Sequence, residues 1–228
     1  MRADGAMIAH LLPAAVKSAD TFGDLPASTL LPEEQLAIAR AVDRRRREFI
    51  AVRACARTAL AGLGVEPVAI VPGVDGAPRW PIGIVGSMTH CRGYRAAAVV
   101  LSDDVVTIGL DAEREERLPE GVLELVASAE ERIHLARLAA ERPDVCWDQL
   151  LFSAKESVYK AWFPLTRRWL GFEHAIVTVD CDGGTFEARL RGAAQLAAGM
   201  GITGFTGKWM VRDGLALTAI TVLRGDHA

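Results

Sequence analysis

The pattern of apolar and polar positions divides the chain into halves of similar order. After an N-terminal segment marked by the turn residues Pro13, Gly23 and Pro26, a long helical stretch opens on Pro32-Glu33-Glu34 and stops at Gly62 and Gly64. A loop rich in Gly and Pro covers residues 72–81. Two apolar stretches, 94–101 and 105–110, are joined by Ser102-Asp103-Asp104 and predict a β-hairpin. Beyond Pro119 the pattern is helical again. Ser128 with Glu131 three residues on is a capping-box signature, opening a helix that ends before Pro143. A second helix runs from about Val145 to Phe163 and stops at Pro164. The last third alternates: 174–180 and 185–191 flank Asp182-Gly183-Gly184, and 208–211 and 215–223 flank Asp213-Gly214. Each half reads helix first, then antiparallel strands. The expected class is α+β, with an N-terminal lobe over 1–105 and a C-terminal lobe over 106–228 acting as one unit.

Composition narrows the classes of function. The 228 residues are half apolar and about a quarter charged, which is globular rather than disordered stock. Lys plus Arg numbers 26 against 29 acidic residues, a net charge of −3, so no global basicity points to nucleic acid. The longest purely apolar run, Ala96 to Leu101, falls far short of the ~18 residues of a membrane span. The first twenty residues have no signal-peptide core, so the expected location is the cytoplasm. The four cysteines, Cys55, Cys91, Cys146 and Cys181, are far apart and form no CxxC pair. They read as buried thiols in a reducing compartment, not as zinc ligands.

Four groups of residues could do chemistry. Asp111 and Glu113 follow an apolar strand, and the period of two sends them to one face while Ala112 points back. Such a pair either shares a hard cation such as Mg²⁺ or belongs to a solvated acidic rim with Glu115 and Glu116. Glu156 and Lys160 sit four apart on one helical face, either a surface ion pair or part of a site, with Phe152 and Phe163 on the same stripe. Arginines cluster at Arg40, Arg44 to Arg47, Arg53 and Arg57. Arg46, Arg53 and Arg57 form one stripe that suits phosphate oxygens, or a solvated face paired with Asp43 and Glu48. Gly83 to His90, after a loop carrying Gly73, Gly76 and Pro78, reads as a glycine-lined segment offering Ser87, Thr89 and His90 to a ligand. No Gly-x-Ser-x-Gly elbow accompanies it, so a Ser–His–Asp triad has little support. Together these are the parts for chemistry on a phosphate ester.

Four ordered motifs carry a resemblance. Gly76-Ala77-Pro78-Arg79-Trp80-Pro81, Gly86-Ser87-Met88-Thr89-His90, Gly109-Leu110-Asp111-Ala112-Glu113 and Phe152 to Ala161 resemble the 4′-phosphopantetheinyl transferases. The branch is that of the enterobactin-synthase component D enzymes and their actinobacterial relatives. Arg47-Glu48-Phe49, Trp162 to Thr166 and Trp169 to Phe172 extend the match. The resemblance implies a monomeric pseudo-dimer of two similar lobes with coenzyme A in the cleft between them. A serine hydroxyl of an apo acyl or peptidyl carrier protein would attack the coenzyme's β-phosphate, and 3′,5′-ADP would leave. It further implies that Asp111 and Glu113 hold Mg²⁺ (or Mn²⁺). Glu156 would be a further ligand or the base, and Lys160 would neutralise phosphate. Arg45, Arg53 and His90 would contact coenzyme phosphates, with Ser87, Thr89 and Leu170 also bordering the coenzyme. The loop Gly73-Val74-Asp75-Gly76 would border adenine. That loop has no Lys, unlike some relatives, and Ala112 can offer a metal only its backbone carbonyl. The competing reading is a non-catalytic coenzyme A-binding or carrier-docking module. Nucleic acid and membrane are not expected partners.

Overall fold

The structure, a computed structural model, describes residues 5–73, 76–192 and 202–225. The chain divides into two units, Met1–Ile108 with Val222–Ala228, and Gly109–Thr221. Val74 and Asp75 of the expected adenine loop lie outside the described residues.

In the first unit, β1 (Lys17–Thr21), β2 (Ile84–Cys91) and β3 (Tyr94–Leu101) form an antiparallel sheet in the order β1-β3-β2. The helices are α1 (Pro32–Ala37) and α2 (Asp43–Ala61). Alanines at 96–98 leave β3 a low surface, and α2 lays Cys55, Ala56, Ala59 and Leu60 against Ala97, Val99 and Ile70. The apolar periodicity gives no sign of β1, because Lys-Ser-Ala-Asp-Thr has one apolar residue; backbone pairing to β3 makes the strand.

Three expectations need correction here. The hairpin over 94–110 does not form: both edges of β3 are taken by β1 and β2, and the next strand belongs to another sheet. The segment from Gly83 to His90 is not a loop but largely strand β2. The single helix from Pro32 is broken between Ala37 and Asp43. Glu34, fully buried, receives Arg57 Nη1 at 2.6 and 2.7 Å and the Ile70 N–H at 2.9 Å, pinning α1. Arg46 then satisfies the carbonyls released at the break, Ala39 at 2.6 Å and Ala41 at 3.1 Å. The break brings Ile38 and Leu30 onto Phe49 and Ile50 in a second apolar cluster.

The second sheet has the order β4-β8-β7-β6-β5, from β4 (Val105–Arg114), β5 (Ala175–Asp180), β6 (Thr185–Leu190), β7 (Gly204–Arg212) and β8 (Leu215–Leu223). Two antiparallel sheets with helices give the expected α+β class. The two C-terminal hairpins form as read, β5 on β6 and β7 on β8. The helices are α3 (Val122–Val126), α4 (Ala129–Glu141) and α5 (Trp147–Thr166). The capping box forms, with Ser128 Oγ accepting the Glu131 N–H and Glu131 Oε2 accepting the Ser128 N–H at 2.7 Å. Helix α5 does not stop at Pro164 but runs to Thr166, and Arg167 closes it in the left-handed region at φ 55°. A proline so near the end removes one backbone hydrogen bond without breaking a long run. Of the cysteines, Cys55 and Cys91 are buried as expected, whereas Cys146 and Cys181 are partly exposed; all are free.

The capping carboxylate has a second task. Lys155 on α5 is fully buried and its Nζ donates to Glu131, Val126 O and Phe172 O, all within 2.8–2.9 Å. Glu131 also accepts the Val177 N–H at 2.8 Å. Burial pulls the Lys155 ammonium below its usual range, and Glu131 opposes that shift. Lys155→Met should lower the unfolding free energy by about 2 kcal/mol, less than the ~3–5 kcal/mol of a wholly stranded charge, because Glu131 keeps two backbone donors. Urea midpoints check this; an unchanged midpoint would deny the pair its role.

Candidate active site

The carboxylates and the later helix meet in the second unit. Asp111, on β4, is buried, and its Oδ1 accepts from Lys160 Nζ of α5 at 2.7 Å. Ala112 is buried, as are Leu110 and Asp111 before it, so burial does not alternate through the motif. Glycine at 109 makes the approach possible. A Cβ there would sit 1.9 Å from Ser157 O and 2.8 Å from Ala161 N, both backbone atoms of α5. No larger residue would let β4 lie this close to the helix turn that carries Glu156 and Lys160.

Electrostatics show how crowded the acids are. Burial first, then the charges of Asp111 and Glu156, pushes the Glu113 carboxyl up to about 7, with Lys160 opposing. Glu156 is also raised, by burial and then by Asp111. Glu113 and Glu156 are thus disfavoured in their ionised forms beside Asp111, and carboxylate oxygens are the donors a hard divalent ion takes. The donor chemistry therefore fits such an ion. Among the described residues, however, no three His, Cys, Asp or Glu side chains are close enough together to hold one.

Beside Glu156 lies a cavity of about 450 Å³ lined by Tyr159, Trp169, Leu170, Phe172 and Glu173. Leu170 is buried as its apolar floor, while Trp169, 78% exposed, lies tilted against Tyr159 with ring centres 5.0 Å apart. Sequence reasoning named Leu170 but missed Tyr159 and Phe172 as its neighbours. The signal was present: Tyr159 stands three residues after Glu156 on the same helix face.

In the first unit, Arg45 donates from Nη1 to His90 Nε2 at 2.7 Å. That leaves the ring hydrogen on Nδ1, which lies 3.8 Å from Glu48. Burial would raise Glu48, but Arg44, His90 and Arg45 outweigh it and hold the carboxyl low. Arg53 is buried, lies 3.7 Å from the Phe49 ring centre and donates to Ile70 O at 3.1 Å. Burial brings its guanidinium down to about 10. The arginine stripe does not act as one comb, since Arg46 and Arg57 are committed to Ala39, Ala41 and Glu34. Nor do the polar residues of β2 converge. Ser87 and Thr89 are buried on the face opposite Met88 and His90, which argues further against a Ser–His triad. Gly86 serves packing, not a ligand: a Cβ there would meet the Trp80 indole at 2.9 Å. Gly73 and Gly76 frame a tight turn in which the Gly73 N–H donates to Ala77 O at 2.6 Å.

A sheet strand ending in two carboxylates is thus backed by a helix carrying Glu and Lys four apart. The N-terminal domain of 4′-phosphopantetheinyl transferases matches residues 33–100, and the 4′-phosphopantetheinyl transferase superfamily matches residues 107–207. The chain is 52% identical over 219 residues to the 4′-phosphopantetheinyl transferase Svp of Streptomyces mobaraensis, covering 95% of this chain and 89% of that one. It is 46% identical to PptT of Mycobacterium tuberculosis (96% and 99% covered) and 48% identical to Npt of Nocardia iowensis (94% and 99%). The chain belongs to the 4′-phosphopantetheinyl transferase family, and is an enzyme of that class.

Proposed function

We propose that the chain transfers 4′-phosphopantetheine from coenzyme A to a serine of an apo acyl or peptidyl carrier protein, with the acidic group of the second unit at the reacting phosphate. The juxtaposition of Asp111 with Lys160, beside Glu113 and Glu156, carries this reading. The serine oxygen attacks the β-phosphorus as its proton passes to Glu156. The bond from that phosphorus to the bridging oxygen breaks, and 3′,5′-ADP departs with the electron pair. A carboxylate with a raised pKa is a better base near neutrality than an exposed one.

Asp111, Glu113 and Glu156, with the Ala112 carbonyl, are the residues that would hold Mg²⁺ or Mn²⁺, drawing closer together around it. The ion would neutralise charge on the diphosphate. Lys160 adds a fixed positive charge. The cavity at Tyr159, Trp169, Leu170 and Phe172 suits the largely apolar pantetheine arm. Arg45, Arg53 and His90 are assigned to the coenzyme's phosphates, with Gly73 and Gly76 bordering adenine; Ser87 and Thr89, buried on the face opposite His90, are given no contact. Leu125 on α3 and Ile133 on α4 are exposed apolar residues that would meet the carrier. No described helix is long and apolar enough to cross a membrane. The chain would act as a monomer in the cytoplasm.

The test is to incubate the chain with coenzyme A, Mg²⁺ and a panel of apo carriers and to weigh each carrier. Added phosphopantetheine, lost on chelation of the metal, is expected. Coenzyme binding without modification of any carrier would favour the non-catalytic docking module instead.

A further inference from the structure

The first unit holds a cavity to which the proposed function assigns no role. It has a volume of about 470 Å³ and is lined by Phe22, Asp24, Arg44, Arg47, Glu48, Arg92 and Arg95 among others. That volume is within the ~300–1,000 Å³ of small-molecule sites. Arg45, Arg53 and His90, assigned above to coenzyme phosphates, are not among its lining residues, although Glu48, which is, lies 3.9 Å from Arg45 and 3.8 Å from His90, so the two sites would be neighbours.

We propose that this cavity is a second anion site, for a phosphate ion or a small phosphate monoester. Its four guanidinium groups face two carboxylates, leaving an excess of two positive charges, which matches a phosphate dianion. Arg95 and Arg47 converge on Asp24 at 3.0 and 3.2 Å, and Arg44 reaches Glu48 at 3.0 Å. Asp24 thus holds the fork of two arginines where an oxyanion would take it. Arg95 is itself nine-tenths buried; its Nε–H has no hydrogen-bond partner among the described residues but is sealed from solvent, so an anion would be met by the Nη2 group that now faces Asp24. Arg44 and Arg47 stand in the first turns of the 19-residue helix α2, whose dipole adds to the positive potential. Arginine forks are the donors best shaped for phosphate oxygens. The sheet supplies the other wall, through Arg92 and Gly93 at the β2–β3 turn.

The experiment is calorimetric titration of the full chain with inorganic phosphate and, separately, with glycerol phosphate, at low salt and with coenzyme A saturating. Saturation removes phosphate binding at the coenzyme's own contacts. Either titrant should bind, the tighter one identifying free or esterified phosphate as the ligand. Arg92→Gln should weaken binding about tenfold, whereas Asp24→Asn, by freeing Arg47 and Arg95, should tighten it about threefold. A misfolded variant would not gain affinity. Absence of binding, displacement of phosphate by coenzyme A, or equal affinity in both variants would overturn the proposal. Transfer to the carrier is read independently by mass, so failure here leaves the transferase reading standing, and the reverse.

Discussion

Alanine at position 109 is expected to cost about 3 kcal/mol of stability, at the upper end of overpacking penalties, and to slow transfer about 100-fold. The added Cβ would lie 1.9 Å from Ser157 O and 2.8 Å from Ala161 N. Both are backbone atoms held in the hydrogen-bond ladder of α5, so no side-chain rotation can relieve the clash. Strand or helix must retreat by about an ångström. The retreat falls where it matters, because Asp111 is two residues along the strand and Lys160 is on the facing helix, joined at 2.7 Å. A misplacement of that size costs on the order of 100-fold in rate. Denaturant midpoints and carrier modification check both parts. Gly23→Ala is the control, since its Cβ would meet nothing within 4 Å. A Gly109→Ala protein with normal midpoint and turnover would show that the close approach is not what sets the site.

That glycine illustrates what sequence alone could and could not disclose. Gly109 was legible as a member of a motif, yet its reason lies in α5, some fifty residues away, and no local pattern states it. Gly86 was legible in the same way and read as making room for a ligand, whereas the neighbour it admits is Trp80. The C-terminal hairpins were readable because Asp-Gly and Gly-Gly turns and alternating burial are local signals. The hairpin over 94–110 was not, because strand adjacency depends on β1, whose Lys-Ser-Ala-Asp-Thr has no apolar alternation. The break between α1 and α2 escaped for a related reason. It is set by buried Glu34 gripping Arg57 and the Ile70 N–H, and a glutamate next to Pro32 otherwise reads as a first-turn residue.

The acids proposed for the site stand out by their spacing, but their coupling does not. Spacing put Asp111 with Glu113 and Glu156 with Lys160; only the packing of β4 on α5 makes these one charged group. Glu156→Gln tests that group most directly. The amide keeps the shape of the carboxyl while removing its charge and its basicity. Transfer should fall by about 10²–10⁴-fold, the usual contribution of a positioned base. Coenzyme A affinity should stay within about tenfold, because Lys160, Asp111 and Glu113 remain. Stability separates this outcome from simple damage. Burial and Asp111 raise the Glu156 pKa in the folded chain, so above the ordinary carboxylate pKa its ionised form opposes folding. Neutral glutamine removes that opposition, and the metal-free variant should melt at or above the temperature of the parent near pH 7. Loss of transfer with a raised or equal melting temperature places Glu156 in the reaction, as base or as metal ligand. Normal turnover by Glu156→Gln would assign the proton to another acceptor, and a sharply lowered melting temperature would mean that Glu156 is held by contacts the charge balance does not reveal.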